Sequence, residues 1–147
     1  MKLHVCKICG HVAFGEAPDN CPVCHAPKNQ FVEDANAFKK PADPKNLTDG
    51  DKKHIPNFTV VKQCGLIPGT CTDIHVKVGQ ILHVMEEKHF IMWIDLYLNR
   101  KYIGRYSMTP NGPNPCVGVH LKNDTGGVLT AVEFCNVHGK WMGDVEV

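Results

Sequence analysis

Two sets of residues in this chain have types and spacings that suit metal chemistry. Cys6 and Cys9 form one C-x2-C pair and Cys21 and Cys24 a second, with 11 residues between the pairs. Two tight chain reversals that each present two thiolates close a tetrahedral four-sulfur site, which zinc or iron accepts. The second set is dispersed: His54 in KKHIP, His83 and His89 in LHVMEEKHF, and Cys135 and His138 in CNVHG. On a continuous strand the even spacing of His83 and His89 would put both on one face but ~20 Å apart. They can share an ion only if VMEEK, polar at Glu86, Glu87 and Lys88, forms a loop. Cys135 and His138 are three apart and followed by Gly139, so a tight turn can aim both at one ion.

Each of these residues also has an ordinary reading. A lone histidine in a β-rich chain is usually hydrogen-bonded or exposed, and that reading stands for His75 and His120. His4, His11 and His25 lie beside the first cysteine set, but four thiolates already complete a tetrahedral site, so all three are expected to face solvent. Cys64, Cys71 and Cys116 belong to neither set and read as small buried hydrophobes, with a redox role as the alternative. For the first site a structural zinc ion is the alternative to iron, because thiolates bind zinc at least as well.

Such residues need elements to hold them. The chain has 147 residues, room for a small metal-stapled module joined to one ordinary domain. The first four cysteines lie in a stretch with several Gly and Pro and few large apolar side chains, too little to fold without a cross-link or a metal. From Glu33 to Lys53 the text EDANAFKKPADPKNLTDGDKK has two prolines, many charges and no sustained periodicity, and reads as a linker or a surface-hugging loop. Beyond Ile55 come short β-rich runs: FTVVKQC, DIHVKVGQIL, HFIMWIDLYL, KYIGRYSM, CVGVHLKN, GVLTAVEFC and WMGDVEV. Alternation is clear in Ile74, Val76 and Val78 and in Val117, Val119 and Leu121, with turns supplied by TPNGPNP and NDTGG. The pattern predicts an antiparallel sandwich or barrel, with no helical segments to build a parallel sheet. The expected division is a module over 1–35, a linker over 36–50 and a β-domain over 51–147.

Sixteen Lys plus Arg against 15 Asp plus Glu give no net pull toward nucleic acid or an anionic membrane. The N-terminus MKLHVCKICG has no apolar run of signal-peptide length, and no stretch reaches the ~18 apolar residues of a membrane span. A cytoplasmic chain is expected, and there eight cysteines are held free or on metal rather than in disulfides.

The segment CPVCHAPKNQF, with Cys6 and Cys9 ahead of it, resembles the rubredoxin-like iron domain, in spacing closer to the version attached to rubrerythrins than to the small desulforedoxin module. Gly10 follows the first pair, where positive φ is often needed, and His25 stands at the equivalent place after the second. Further on, HVMEEKHFIMWIDL and VEFCNVHGKW, with KHIP upstream, resemble the catalytic domain of superoxide reductases, the neelaredoxin and desulfoferrodoxin family. The resemblance implies a mostly β fold, with a rubredoxin-like knuckle followed by an immunoglobulin-like antiparallel sandwich. It implies two iron ions per chain. One is held by Cys6, Cys9, Cys21 and Cys24, and the other by His54, His83, His89 and His138 in a plane with Cys135 as axial thiolate. The implied activity is one-electron reduction of superoxide to hydrogen peroxide at the second iron, through an open sixth position. Lys53, just before the first histidine, is then the residue that attracts the anion and organises a protonating water. Two positions depart from the family pattern: Lys52 stands where Glu is common, with Asp51 one residue further back, and Val84 where Pro is common. Re-reduction calls for a donor such as rubredoxin and its reductase, and the family suggests a homodimer or homotetramer serving oxidative-stress defence in an anaerobe. The alternatives are a dismutase-like activity at the same iron, or a non-catalytic electron-transfer or zinc-structural protein.

Overall fold

The computed structural model describes residues 1–62, 64–69, 71–122 and 126–147. Near the N-terminus β1 (Leu3–Cys6), β2 (Val12–Phe14) and β3 (Phe31–Glu33) make a small antiparallel sheet in the order β2-β1-β3. Two knuckles project from it, closed by Gly10 N–H to Cys6 O and His25 N–H to Cys21 O, each 2.9 Å. Gly10 has φ +79° and His25 φ +65°, so the histidine does occupy the left-handed position that the spacing predicts.

The stretch read as a linker ends in a helix, α1 (Asp49–His54). Its start is a reciprocal capping box: the Thr48 side chain accepts from Asp51 N–H, and the Asp51 carboxylate accepts from Thr48 N–H at 2.9 Å. Six residues cover less than two turns, so no helical period could show in the sequence.

Seven strands follow: β4 (Pro56–Val61), β5 (Thr72–Val78), β6 (Ile91–Leu98), β7 (Lys101–Ser107), β8 (Cys116–Leu121), β9 (Val128–Cys135) and β10 (Gly139–Glu146). They pair antiparallel in two sheets, β10-β9-β6-β7 and β4-β5-β8, as the expected sandwich does. The run DIHVKVGQIL stops being strand at Val78. There the chain passes under α1: Ile81 N–H donates to Lys52 O at 3.1 Å, and a Cβ on Gly79 would sit 2.9 Å from Ile55 O. The turn expected at NDTGG involves residues 123–125, and the end of FTVVKQC includes Gln63; both lie outside the described residues.

Ile74, Val76, Ile91, Ile94, Leu96, Val117, Leu129 and Ala131 fill the space between the sheets. A bulge in β6 between Ile91 and Trp93 switches its alternation, so Trp93, Asp95 and Tyr97 leave the interior for the outer face of the four-stranded sheet. That face is covered by the N-terminal module: Val12 and Phe38 bury against Trp93, Tyr97 and Val132. Tyr97 donates its hydroxyl hydrogen to Val12 O at 2.7 Å, and Arg105 donates to Cys9 O at 2.9 Å. Phe38 lies within the loop between β3 and α1, which also donates Lys39 N–H to Lys140 O at 2.8 Å. No helix among the described residues is long and apolar enough to cross a membrane.

Candidate metal centres

The knuckles bring Cys6, Cys9, Cys21 and Cys24 together, with all four sulfurs within 4.8 Å of one another. Cys6 and Cys24 sulfurs are 3.7 Å apart and Cys9 and Cys21 sulfurs 3.5 Å. Bonds of ~2.3 Å to one tetrahedral ion require ~3.8 Å between sulfurs, so the spacing fits zinc or iron. The Cys24 thiol is lowered, chiefly by the Ala26 N–H, whereas burial raises Cys9 and Cys21. Four crowded sulfurs of this kind are satisfied by a cation that replaces their protons.

Of the histidines nearby, His25 is exposed and His4 half-buried, but His11 is not solvent-facing as expected. It is 2% exposed, with Nδ1 2.9 Å from Asp95 Oδ2 and its ring stacked on Tyr97. The cause is the docking of the module: β2 starts where the chain meets the sheet, so its first side chains become interface.

The second set assembles at one end of the sandwich, on three connections. His54 closes α1, His83 and His89 lie on the loop from β5 to β6, and Cys135 and His138 flank the turn from β9 to β10. VMEEK is the predicted loop: Glu86 and His89 exchange two backbone hydrogen bonds of 3.0 Å, which folds His89 back toward His83. Asn136 ties this loop to the β9–β10 turn, accepting from Phe90 N–H at 2.9 Å and donating to Lys88 O at 3.1 Å. Spacing gave no hint of that positioning role, because Asn136 acts across the fold.

The four imidazoles form a closed square. Ring centroids are 4.8 Å apart for His54–His83, 4.6 Å for His83–His89, 4.9 Å for His89–His138 and 4.9 Å for His138–His54. Neighbouring planes cross at 67° to 82°. His54 Nδ1–H donates to Gly50 O and His83 Nδ1–H to Val84 O, both at 2.7 Å, which fixes their tautomers. The Nε2 atoms of His54, His83 and His89 are buried with no hydrogen-bond partner. Orphaned ring nitrogens around one point are what a metal would satisfy. Burial lowers His54, His83 and His89, with His83 at about 4, so these rings are neutral donors.

Cys135 is fully buried beside the four rings, its sulfur 3.7 Å from His138 Nδ1 and accepting from His138 N–H at 3.4 Å. Burial pushes its thiol up, and the His138 and Val137 N–H groups oppose that shift. Four imidazoles and one cysteine sulfur are a donor set that suits a borderline cation such as ferrous iron.

The cleft over the histidines has a volume of about 920 Å³, with Lys39, Lys53, Val84 and Trp141 among its walls. Lys53 is exposed there, and Lys52 is absent from the lining. Asp51 is buried in the capping box. Sequence reasoning passed over Glu133, which is fully buried two residues before Cys135 with neither oxygen hydrogen-bonded. Desolvation raises it well above its usual range. Of the three cysteines read as buried hydrophobes only Cys71 is buried; Cys64 is half-buried and Cys116 exposed, because both lie on the solvent side of the three-stranded sheet.

Comparison with known proteins adds a family context. A family model described as Desulfoferrodoxin matches residues 46–144, and one described as the rubredoxin-like domain of rubrerythrin matches residues 4–32. The chain is 30% identical over 148 residues to a desulfoferrodoxin of Syntrophotalea carbinolica, covering 98% of this chain and 96% of that one. It is 28% identical to a desulfoferrodoxin homolog of Archaeoglobus fulgidus, over 97% of this chain and 95% of that one. Among solved structures, a superoxide reductase (neelaredoxin) from Ignicoccus hospitalis is 30% identical with a TM-score of 0.54, over 64% of this chain and 79% of that one. The reduced superoxide reductase (neelaredoxin) of Archaeoglobus fulgidus is 27% identical with a TM-score of 0.58, over 76% of this chain and 98% of that one.

Proposed function

Because the chain belongs to the desulfoferrodoxin family, we propose that it is a superoxide reductase whose metal ligands are His54, His83, His89, His138 and Cys135. The observation that carries this reading is the closed square of imidazoles beside a buried thiol, with three orphaned Nε2 atoms. Ferrous iron held by these five residues would supply one electron and an exchangeable coordination position, and the Cys135 thiolate would supply electron density to it. The balance is one superoxide, one electron and two protons giving one hydrogen peroxide.

The chain's own residues do the rest. Gly50 and Val84 carbonyls hold the ring tautomers, and Trp141 stacks 5.1 Å from the His54 ring, closing one side of the square to water. The cleft is far larger than a diatomic anion needs, so selection rests on charge: Lys53 and Lys39 concentrate the anion at its mouth. Lys53 also holds the water that delivers protons as charge develops on the substrate. At the place of the Glu common in the family stands Lys52, which lies off the cleft lining; Asp51 lines the cleft, with its carboxylate accepting from Thr48 N–H.

The functional division is a rubredoxin-like module over 1–35, a connecting stretch over 36–50 and the catalytic domain over 51–147. The module holds a second iron on Cys6, Cys9, Cys21 and Cys24, where zinc also fits. A rubredoxin-type donor re-reduces the catalytic site in a cytoplasmic homodimer or homotetramer. The test is superoxide turnover by iron-loaded protein with a defined reductant. One reductant equivalent consumed per superoxide with no oxygen release is expected. Oxygen release without reductant would replace this reading by a dismutase, and zinc in both sites of an iron-replete preparation would replace it by a structural role.

A further inference from the structure

We infer that Cys64, Cys71, Asp73 and His120 form a third metal site, which takes one thiophilic divalent cation of the zinc class in tetrahedral S2NO coordination. The four ligand atoms lie within 4.8 Å of one another. Both sulfurs close on one ring nitrogen: Cys64 Sγ is 3.2 Å and Cys71 Sγ 3.6 Å from His120 Nδ1. Cys71 Sγ is 3.8 Å from Asp73 Oδ1, and that oxygen is 2.5 Å from His120 Nδ1. Edges of a zinc tetrahedron with these donors are ~3.3 to 3.8 Å. The three contacts made by sulfur already have about that length, and the nitrogen–oxygen contact is a hydrogen bond that the cation would open.

The fold builds this arrangement rather than merely permitting it. Asp73 and His120 are direct partners in the β5–β8 register, so their side chains stand together on one face of the sheet. Cys71 precedes Asp73 by two residues and shares its face. Cys64 arrives from the connection between β4 and β5 and accepts a hydrogen bond from Leu66 N–H at 3.4 Å. The same i to i+2 relation links Cys9 with His11 and Cys24 with Ala26 at the four-cysteine site. Cys71 is 5% exposed although its face of the sheet looks outward. A connection whose Leu66 and Ile67 are exposed has little apolar burial to hold it, and a metal clip would supply the missing constraint.

The site is remote from the imidazole square. Asp73 begins β5, whereas Val78 ends it beside α1, so ~17 Å of strand separates the two regions. The inference rests on this cluster alone and stands whether or not the chain reduces superoxide. Binding releases the thiol protons and involves no redox step. The competing fate of Cys64 and Cys71 is a disulfide, which would leave Asp73 and His120 without a shared ligand.

The test uses the full chain, purified without chelator from cells supplied with iron and zinc, and compares it with Cys64→Ser/Cys71→Ser. The parent is expected to hold one metal ion more per chain, with iron absorption and superoxide turnover the same in both. Iodoacetamide should label Cys116 at once, and Cys64 and Cys71 only after a chelator is added. His120→Ala keeps both thiols and should lose the same ion, which covers the case in which the double variant fails to fold. Equal metal content in parent and His120→Ala, with immediate labelling of Cys64 and Cys71, would overturn the site. So would an intact mass lacking two hydrogens with a Cys64–Cys71 linked peptide, which would assign the pair to a disulfide.

Discussion

Lys52 and Lys53 are neighbours with the same charge, yet only Lys53 borders the cleft over the histidines. Charge at the mouth of a cleft raises the capture rate of an anion, and salt weakens that effect. Lys53→Ala should slow superoxide capture ~10-fold and flatten its ionic-strength dependence, whereas Lys52→Ala should leave both near the parent values; pulse radiolysis at several salt concentrations measures each. Glu133 gives a pH prediction. Its carboxyl is held neutral by burial, so in the folded state it ionises well above 4.5 while in the unfolded chain it ionises near that value. Stability is therefore intact at low pH and falls as pH rises above 4.5 toward the folded value. Glu133→Gln keeps the shape and removes that loss, so its advantage over the parent in urea titrations should grow by up to ~1.4 kcal/mol per pH unit over that window. A constant difference would mean that Glu133 is ionised in the fold. The residues that the fold brings together in the two clusters were legible in the sequence because motif and order pick them out. Glu133 reads from its motif only as part of a strand, although its parity with Leu129, Ala131 and Cys135 puts a carboxyl among inward-facing residues.

Helix α1 is short and holds a ligand at its last position, so its cap matters more than its length suggests. Thr48→Ala removes the acceptor for Asp51 N–H and should cost ~1 kcal/mol. Because His54 is anchored by its hydrogen bond to Gly50 O within the same helix, iron should also leave faster on chelator challenge. Thr48→Ser should restore both, and loss of stability with unchanged chelation kinetics would uncouple the helix from the metal site. Strands were read well where alternation is sustained, as in β5 and β8. The three strands of the N-terminal sheet have three or four residues each, too few for a period to register. Alternation also could not show that β6 changes face at its bulge, since both of its faces are buried. The signal for α1 was present in Thr48 and Asp51, but as a capping box rather than as a pattern.

At the scale of the whole molecule the N-terminal module is not a separate bead on a linker. Asp95, fully buried, receives two hydrogen bonds from Arg105 and one contact from His11, while Arg105 also reaches Cys9 O and lies 3.8 Å above the Trp93 ring. Breaking a buried pair strands the remaining charge, at a cost of ~3 kcal/mol or more. The parent should unfold in one calorimetric transition, and Arg105→Ala should unfold in two, with the four-cysteine absorption lost in the earlier one. Two transitions in the parent would show that the modules are energetically independent. Sequence alone could not reveal this contact, because His11 and Asp95 are 84 residues apart and nothing in the local context of either points to the other.

The two iron ligand sets differ in how much chain they span. The four-cysteine set runs only from Cys6 to Cys24, whereas the imidazole set runs from His54 to His138 and needs the final hairpin, whose second strand is β10. During synthesis the ligands of the first site are therefore all made, at Cys24, well before the last ligand of the second, at His138. The knuckle can therefore take up its metal before the ligand set of the histidine square exists, so the two centres need not compete for the same ion at the same moment.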